Sequence, residues 1–258
     1  MRPLAEPRWQ GVSVALVTLF DDAGGLDHEA TAAHAARLVE LGMRSVLVAG
    51  STGEADALTD SERITLVAAV RAVLPPNVPV LAGASGAWTG AAVARVGDAV
   101  SSGADAVLVA PPRRAGDLAA FYSAVGVAAG TAPVLAYHFP TAAGGEVPVG
   151  ALPHLPVAGI KDSSGDAERL LTELSTWDGW TYVGSTAMVT LAGAVGATGA
   201  ILAVANAHPE ECVAAYHGDG AAQRRLLEAH LAARSTFPHG LKAMVAQRFG
   251  TSTVARMG

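Results

Sequence analysis

Eight short apolar runs, separated by longer amphipathic stretches, constrain the fold of this chain more than any other feature of its sequence. They begin near Val12 (VSVALV), Arg44 (RSVLVA), Val78 (VPVLAGA), Asp105 (DAVLVA), Pro133 (PVLAY), Val157 (VAGIK), Trp180 (WTYVG) and Gly199 (GAILAVA), at intervals of 32, 34, 27, 28, 24, 23 and 19 residues. Near-continuous Val, Ile, Leu and Ala mark strands covered on both faces, and each interval has room for a loop, a helix and a return. Helical patterns fall at 27–41, 59–73, 90–101, 117–129, 166–175 and 187–195, and after the eighth run at 209–216, 221–233 and 241–249. The Thr59-Asp60-Ser61-Glu62 start suits an N-cap with a capping box. No break in composition divides the 258 residues. The expected fold is α/β: a (β/α)8 TIM barrel over 1–215 with a short C-terminal helical extension, 216–258, packed on it. A doubly wound open sheet is the alternative.

Composition excludes several classes. Hydrophobic residues at 51% against 16% charged rule out disorder. A net charge of −6, with Lys and Arg scattered, argues against a nucleic-acid partner. The lone Cys212 can form no internal disulfide, which makes the cytoplasm the default compartment. The opening MRPLAEPRWQ holds no apolar stretch of signal-peptide length, and no run reaches the ~18 residues of a membrane span, so no membrane partner is expected.

In a barrel, reactive groups sit at the C-terminal ends of the strands, which makes the ends of the eight runs the search list. Lys161 ends the apolar run VAGIK. Partial desolvation there would lower its pKa and make the neutral amine a nucleophile toward a carbonyl, whereas a lysine snorkelling to solvent would do nothing. Gly50-Ser51-Thr52-Gly53-Glu54 follows the second run; its amides and hydroxyls suit a carboxylate, and the bland alternative is an ordinary turn. Tyr137, in Tyr137-His138-Phe139-Pro140 at the end of the fifth run, is a proton relay or a core tyrosine.

Weaker signals are set aside. His28, Glu29 and His34 resemble a zinc helix, but the histidines stand six apart instead of four, so no metal is expected. Arg113-Arg114 reads as a solvated pair, with an anion clamp as the alternative. Gly193, Gly196 and Gly199 precede the eighth run, at the wrong end for a phosphate loop, and read as close packing.

Together GSTGE, YHFP and GIKDSSGD, in that order at those strand ends, resemble the family of dihydrodipicolinate synthase and N-acetylneuraminate lyase. LVTLF, the Leu58-Thr59-Asp60-Ser61-Glu62-Arg63 helix start, and GSTAMVTLAGAVGATGAI with Asn206 and Pro209 extend the resemblance to about residue 215. It implies a lysine imine with pyruvate or another 2-oxo acid plus an aldehyde, with no metal or organic cofactor, in a homo-oligomer (dimer or tetramer). Lys161 falls on the Schiff-base position, Tyr137 on the proton-transferring tyrosine, Ser51 and Thr52 on the carboxylate pair, and Gly184 and Ile201 on pocket-lining positions. Departures narrow the chemistry. Ala142 replaces the arginine that holds the aldehyde's carboxylate in dihydrodipicolinate synthases, and Pro111-Pro112-Arg113 replaces their Pro-Tyr-Tyr run. Thr186 and Ala187 stand where the neuraminate lyases carry acids. YHFPTAAG is closer to the form found in 2-keto-3-deoxygluconate aldolases, with His138 in place of an asparagine. The leading expectation is a class I aldolase or lyase acting on pyruvate or a related 2-oxo acid plus an aldehyde, with a 2-keto-3-deoxy sugar acid-like compound as one such substrate. The alternatives are 4-hydroxy-tetrahydrodipicolinate synthesis and a non-catalytic small-molecule binding protein.

Overall fold

The computed structural model describes residues 9–257. The first eight residues, on which most of the expectation about a leader falls, and Gly258, the end of the expected extension, lie outside the described residues. In chain order the elements are β1 (Gly11–Ala15), α1 (His28–Glu40), β2 (Val46–Val48), α2 (Asp60–Val73), β3 (Val80–Gly83), α3 (Thr89–Ser101), β4 (Ala106–Val109), α4 (Leu118–Ala129), β5 (Val134–His138), β6 (Gly159–Asp162), α5 (Ala167–Thr176), β7 (Trp180–Val183), α6 (Val189–Ala194), β8 (Gly199–Leu202), α7 (Pro209–Tyr216), α8 (Gly220–Ser235) and α9 (His239–Phe249). All eight strands are parallel and pair in sequence order, and β1 closes the ring by pairing with both β2 (Val14↔Val46) and β8 (Val14↔Leu202). The closed barrel replaces the open-sheet alternative. No helical pattern was expected between the fifth and sixth runs, and there the chain makes only a short 3-10 segment, Val149–His154.

Period-two alternation sorts the strand residues into two cores. Val46, Val48, Val80, Ala82, Val107, Val109, Val134 and Ala136 point outward into the layer shared with the helices. Leu47, Leu81, Leu108, Leu135, Tyr137, Tyr182 and Ile201 fill the bore. The runs read as continuous because both faces are buried, and a strand serving a solvated face would have shown polar residues at alternate positions.

The N-terminal end of the bore is closed by rings. Trp9 stacks on Tyr182 at 5.4 Å and meets Trp180 edge-on at 6.0 Å, while the Tyr182 hydroxyl donates to the Trp9 carbonyl at 2.9 Å. Close strand approach here depends on glycine, since a Cβ at Gly199 would lie 2.1 Å from the Gly11 carbonyl oxygen. Gly193 is a packing glycine too, its missing Cβ replaced by the Tyr216 carbonyl, whereas Gly196 serves a left-handed turn with φ +81°.

Beyond the barrel, α8 and α9 pack against it. Gln223 of α8 accepts from the Thr190 amide and donates to the Thr186 carbonyl, both at 3.0 Å, and so grips the segment after β7. Arg248 of α9 donates to the Ala207 carbonyl at 2.8 Å and pairs with Glu210 at 2.6 Å. Among the described residues no helix is long and apolar enough to cross a membrane.

Candidate active site

The barrel topology brings the strand-end residues to one mouth. Lys161 on β6 is registered beside Tyr137 on β5, and both side chains enter the bore. Lys161 is only 5% exposed, and burial holds its amine well below the ordinary lysine range, at about 7. The ammonium position lies 5.0 Å over the Tyr137 ring. A strand pinned on both sides keeps the side chain from snorkelling to water.

Burial raises the Tyr137 phenol above its usual value, and the neighbouring Ser51 and Ser163 hydroxyls partly offset that rise. The phenol is thus a neutral group between two hydroxyls, able to receive and return a proton without holding a lasting charge. Ser163 was not singled out in the sequence. It sits in DSSGD, where turn-forming residues hide one functional hydroxyl among several.

Ser51 and Thr52 lie in a 3-10 turn, Ser51–Gly53, that follows β2. Two non-glycine residues with left-handed backbones flank it, Ala49 (φ 51°) and Glu54 (φ 55°), an arrangement that persists only where the surroundings enforce it. Part of that enforcement comes from Thr18, whose hydroxyl donates to the Gly53 carbonyl at 2.7 Å. Gly53 has no room for a side chain, because a Cβ would lie 2.9 Å from the Leu16 carbonyl oxygen. Asn206, from the segment after β8, ties the neighbouring β1 end in place by accepting from the Val17 amide (3.0 Å) and donating to the Ala15 carbonyl (2.7 Å).

Gly184, after β7, packs against the lysine. Its amide donates to the Asp162 carbonyl at 2.6 Å, and a Cβ there would lie 1.9 Å from Ser163 Oγ and 2.9 Å from Lys161 Cε. Ile201 on β8 is fully buried in the bore cluster that contains Tyr137. Of the six residues singled out in the sequence, Lys161, Tyr137, Ser51 and Gly184 are thus brought together, Thr52 adjoins Ser51 in its turn, and Ile201 shares the bore cluster.

Behind the lysine is a polar layer that the sequence did not disclose. Asp162 and Glu173 both contact Arg169 of α5, at 3.3 and 3.0 Å. Burial and the Asp162 charge push the Glu173 carboxyl up to about 8. Arg169 also donates to the Val147 carbonyl at 2.7 Å, while the Val147 amide donates to His138 Nδ1 at 3.1 Å. His138 thereby fixes the loop after β5. Its Nδ1 accepts a hydrogen, and burial together with the Arg169 charge lowers its pKa.

The weaker signals fall elsewhere. His34 is buried at the α1–α9 contact, edge-on to Phe249 at 5.4 Å, and burial lowers its pKa to about 4. Arg113, from the loop after β4, donates to the Pro140 carbonyl at 3.1 Å, bridging two mouth loops with its side chain largely in solvent.

Residues 8–237 match the dihydrodipicolinate synthetase family. The chain belongs to that family. A DapA-like lyase of Halobacterium salinarum is 36% identical over 214 residues, covering 80% of this chain and 70% of its own length. The 4-hydroxy-tetrahydrodipicolinate synthase of Phenylobacterium zucineum is 33% identical over 247 residues, covering 89% and 83%. Among solved structures, KD(P)GA from T. tenax superposes with a TM-score of 0.84 at 26% identity, covering 95% of this chain and 89% of that one. This member of the dihydrodipicolinate synthetase family is accordingly a lyase-type enzyme, and its mouth residues have to account for lyase chemistry.

Proposed function

We propose that this enzyme is a class I aldolase that forms an imine between Lys161 and pyruvate or a related 2-oxo acid, and makes or breaks the bond to an aldehyde. One observation carries the reading: a desolvated lysine amine lies 5.0 Å over the ring of a tyrosine whose hydroxyl sits between those of Ser51 and Ser163. With its pKa lowered to about 7, a large share of the amine is neutral near pH 7 and can attack the 2-oxo carbon. The carbonyl oxygen must then leave as water, which needs protons delivered at that atom; Tyr137 and its two serine partners form the path. The resulting protonated imine draws electrons from the adjacent carbon, so a proton is lost from the methyl group, or the carbon–carbon bond beyond it breaks. Tyr137 moves the proton on the aldehyde oxygen. Ser51 and Thr52 hold the carboxylate and thereby fix which face reacts, while Gly184 leaves the lysine stem room to swing.

A 2-keto-3-deoxy sugar acid-like substrate fits the mouth better than aspartate semialdehyde. Ala142 offers no cation to a second carboxylate, while the absence of an acid at Thr186 and Ala187 speaks against sialic acid. The division into a barrel over 1–215 and helices over 216–258, a cytoplasmic setting and a homo-oligomer belong to the same reading. Exposed Val127 on α4 and Leu227 and Leu231 one turn apart on α8 are apolar surface that a second copy would cover.

The test is steady-state release of pyruvate from 2-keto-3-deoxy sugar acids, beside condensation of pyruvate with aspartate semialdehyde, by the intact chain and by Lys161→Ala. Turnover in the first assay that vanishes in the variant is expected. Turnover only in the second assay would make the enzyme a 4-hydroxy-tetrahydrodipicolinate synthase. Full turnover by the variant would end the imine reading, and ligand binding without turnover in any assay would favour a binding protein.

A further inference from the structure

Glu54 is fully buried, two residues after Thr52, and the groups facing its carboxylate come from the far end of the chain. Lys242 Nζ of α9 lies 2.5 Å from Oε1, and the backbone amides of Arg256 and Met257 each donate to Oε2 at 2.7 Å. The tail that supplies those amides is tied down in turn. Lys242 donates to the Val254 carbonyl at 2.5 Å. The Arg256 guanidinium pairs with Glu62 of α2 at 2.7 Å, donates to the Gly24 and Ala57 carbonyls at 2.8 and 3.0 Å, and lies 4.4 Å over the Phe20 ring, as does Lys242. A segment some 200 residues distant in sequence thus closes around the side chain that directly follows the Ser51–Gly53 turn.

We propose that residues 251–257, together with Lys242, are positioning elements for the carboxylate site at Ser51-Thr52, acting through Glu54. The inference rests on the reading of that turn as the 2-oxo acid site. Its physical basis is twofold. Glu54 and Ala49 hold left-handed backbones that ordinary residues adopt only under constraint, and a carboxylate without water needs its charge and lone pairs met. Without the tail, Glu54 keeps Lys242 but loses both amide donors to Oε2, and the carboxylate is free to turn toward the water that enters. The Glu54 backbone then relaxes, and the Ser51 and Thr52 hydroxyls lose their fixed direction. Lys161 and Tyr137, held by β6 and β5, stay in place.

The experiment combines borohydride trapping at varied pyruvate concentration with amide hydrogen exchange over residues 49–54. It compares the intact chain, a chain ending at Gly250, Arg256→Ala, Lys242→Met, and the Glu54→Gln/Lys242→Met double variant. In the truncated chain the half-saturating pyruvate concentration should rise by about tenfold or more while the limiting trapping rate changes less than about threefold, because ground-state positioning is lost and the nucleophile is not. Arg256→Ala should shift it in the same direction by less, and exchange over 49–54 should quicken in both. Removing both charges in the double variant should restore binding relative to Lys242→Met alone, since no unpaired carboxylate remains. Unchanged half-saturation and unchanged exchange over 49–54 in Arg256→Ala and in whichever other variants fold overturn the proposal. So does a shift accompanied by faster exchange throughout the barrel, which would make the tail a general stabiliser. If the intact chain traps no pyruvate, the imine reading fails, and exchange over 49–54 alone then decides whether the tail holds the turn.

Discussion

The two ends of the bore use the same kinds of residue for opposite purposes. At the N-terminal end, Tyr182 is stacked on Trp9 and gives its only proton to a backbone carbonyl. At the C-terminal end, Tyr137 lies beside the Ser51 and Ser163 hydroxyls, which can exchange protons with it, and its ring faces the Lys161 amine. Burial raises both phenols. What separates them is the partner: a carbonyl oxygen can only accept, so Tyr182 is fixed, whereas a hydroxyl accepts and donates, so Tyr137 can relay. Desolvation alone does not make a reactive tyrosine.

Lys161 gives the largest effect on that contrast. Lys161→Ala should lower turnover by at least about four orders of magnitude, as expected when the group forming the covalent intermediate is lost. Lys161→Met, which nearly fills the same space, should also be more stable than the parent. The folded amine titrates near 7 instead of 10.5, so the unfolded chain binds more protons between those values and stability rises with pH across that window. The advantage of the variant should be several kcal/mol below pH 7 and shrink toward zero by about pH 10.5, measured by denaturant unfolding at several pH values.

The paired tyrosines come next. Tyr137→Phe should cut turnover by about 10²–10³-fold while imine trapping persists at a reduced rate. Tyr182→Phe should leave turnover within about twofold and cost about 1–2 kcal/mol of stability, because the Trp9 carbonyl loses its buried donor. Equal effects on turnover from both would erase the distinction between the two ends. Gly184→Ala should weaken turnover by roughly tenfold, since its Cβ must displace Ser163 Oγ and crowd Lys161 Cε. The overpacking should also cost about 1–3 kcal/mol of stability, so thermal unfolding beside kinetics, with turnover assayed well below the melting temperature, checks this.

The barrel was legible because its strands are buried on both faces, which turns an otherwise subtle alternation into plain apolar runs. Lys161 was legible for the same reason, as a charge at the end of such a run. The supporting layer was not. Glu54 and Lys242 look like solvated charges in a turn and on a helix, and Arg256 like part of a loose tail, because only the fold brings the three together. Arg169 and Glu173 fit an ordinary i, i+4 surface pair on α5, and nothing local says that Asp162 will press against them. Sequence patterns report burial along one element. They carry little about charges that meet across several.

Whether the desolvated Lys161 amine is the nucleophile is decided by borohydride reduction with pyruvate across pH, followed by peptide mass spectrometry. One reduced adduct is expected, on Lys161, forming faster as pH rises toward about 7 and levelling above it. An adduct on another lysine, or none with the protein shown to be folded, would contradict it.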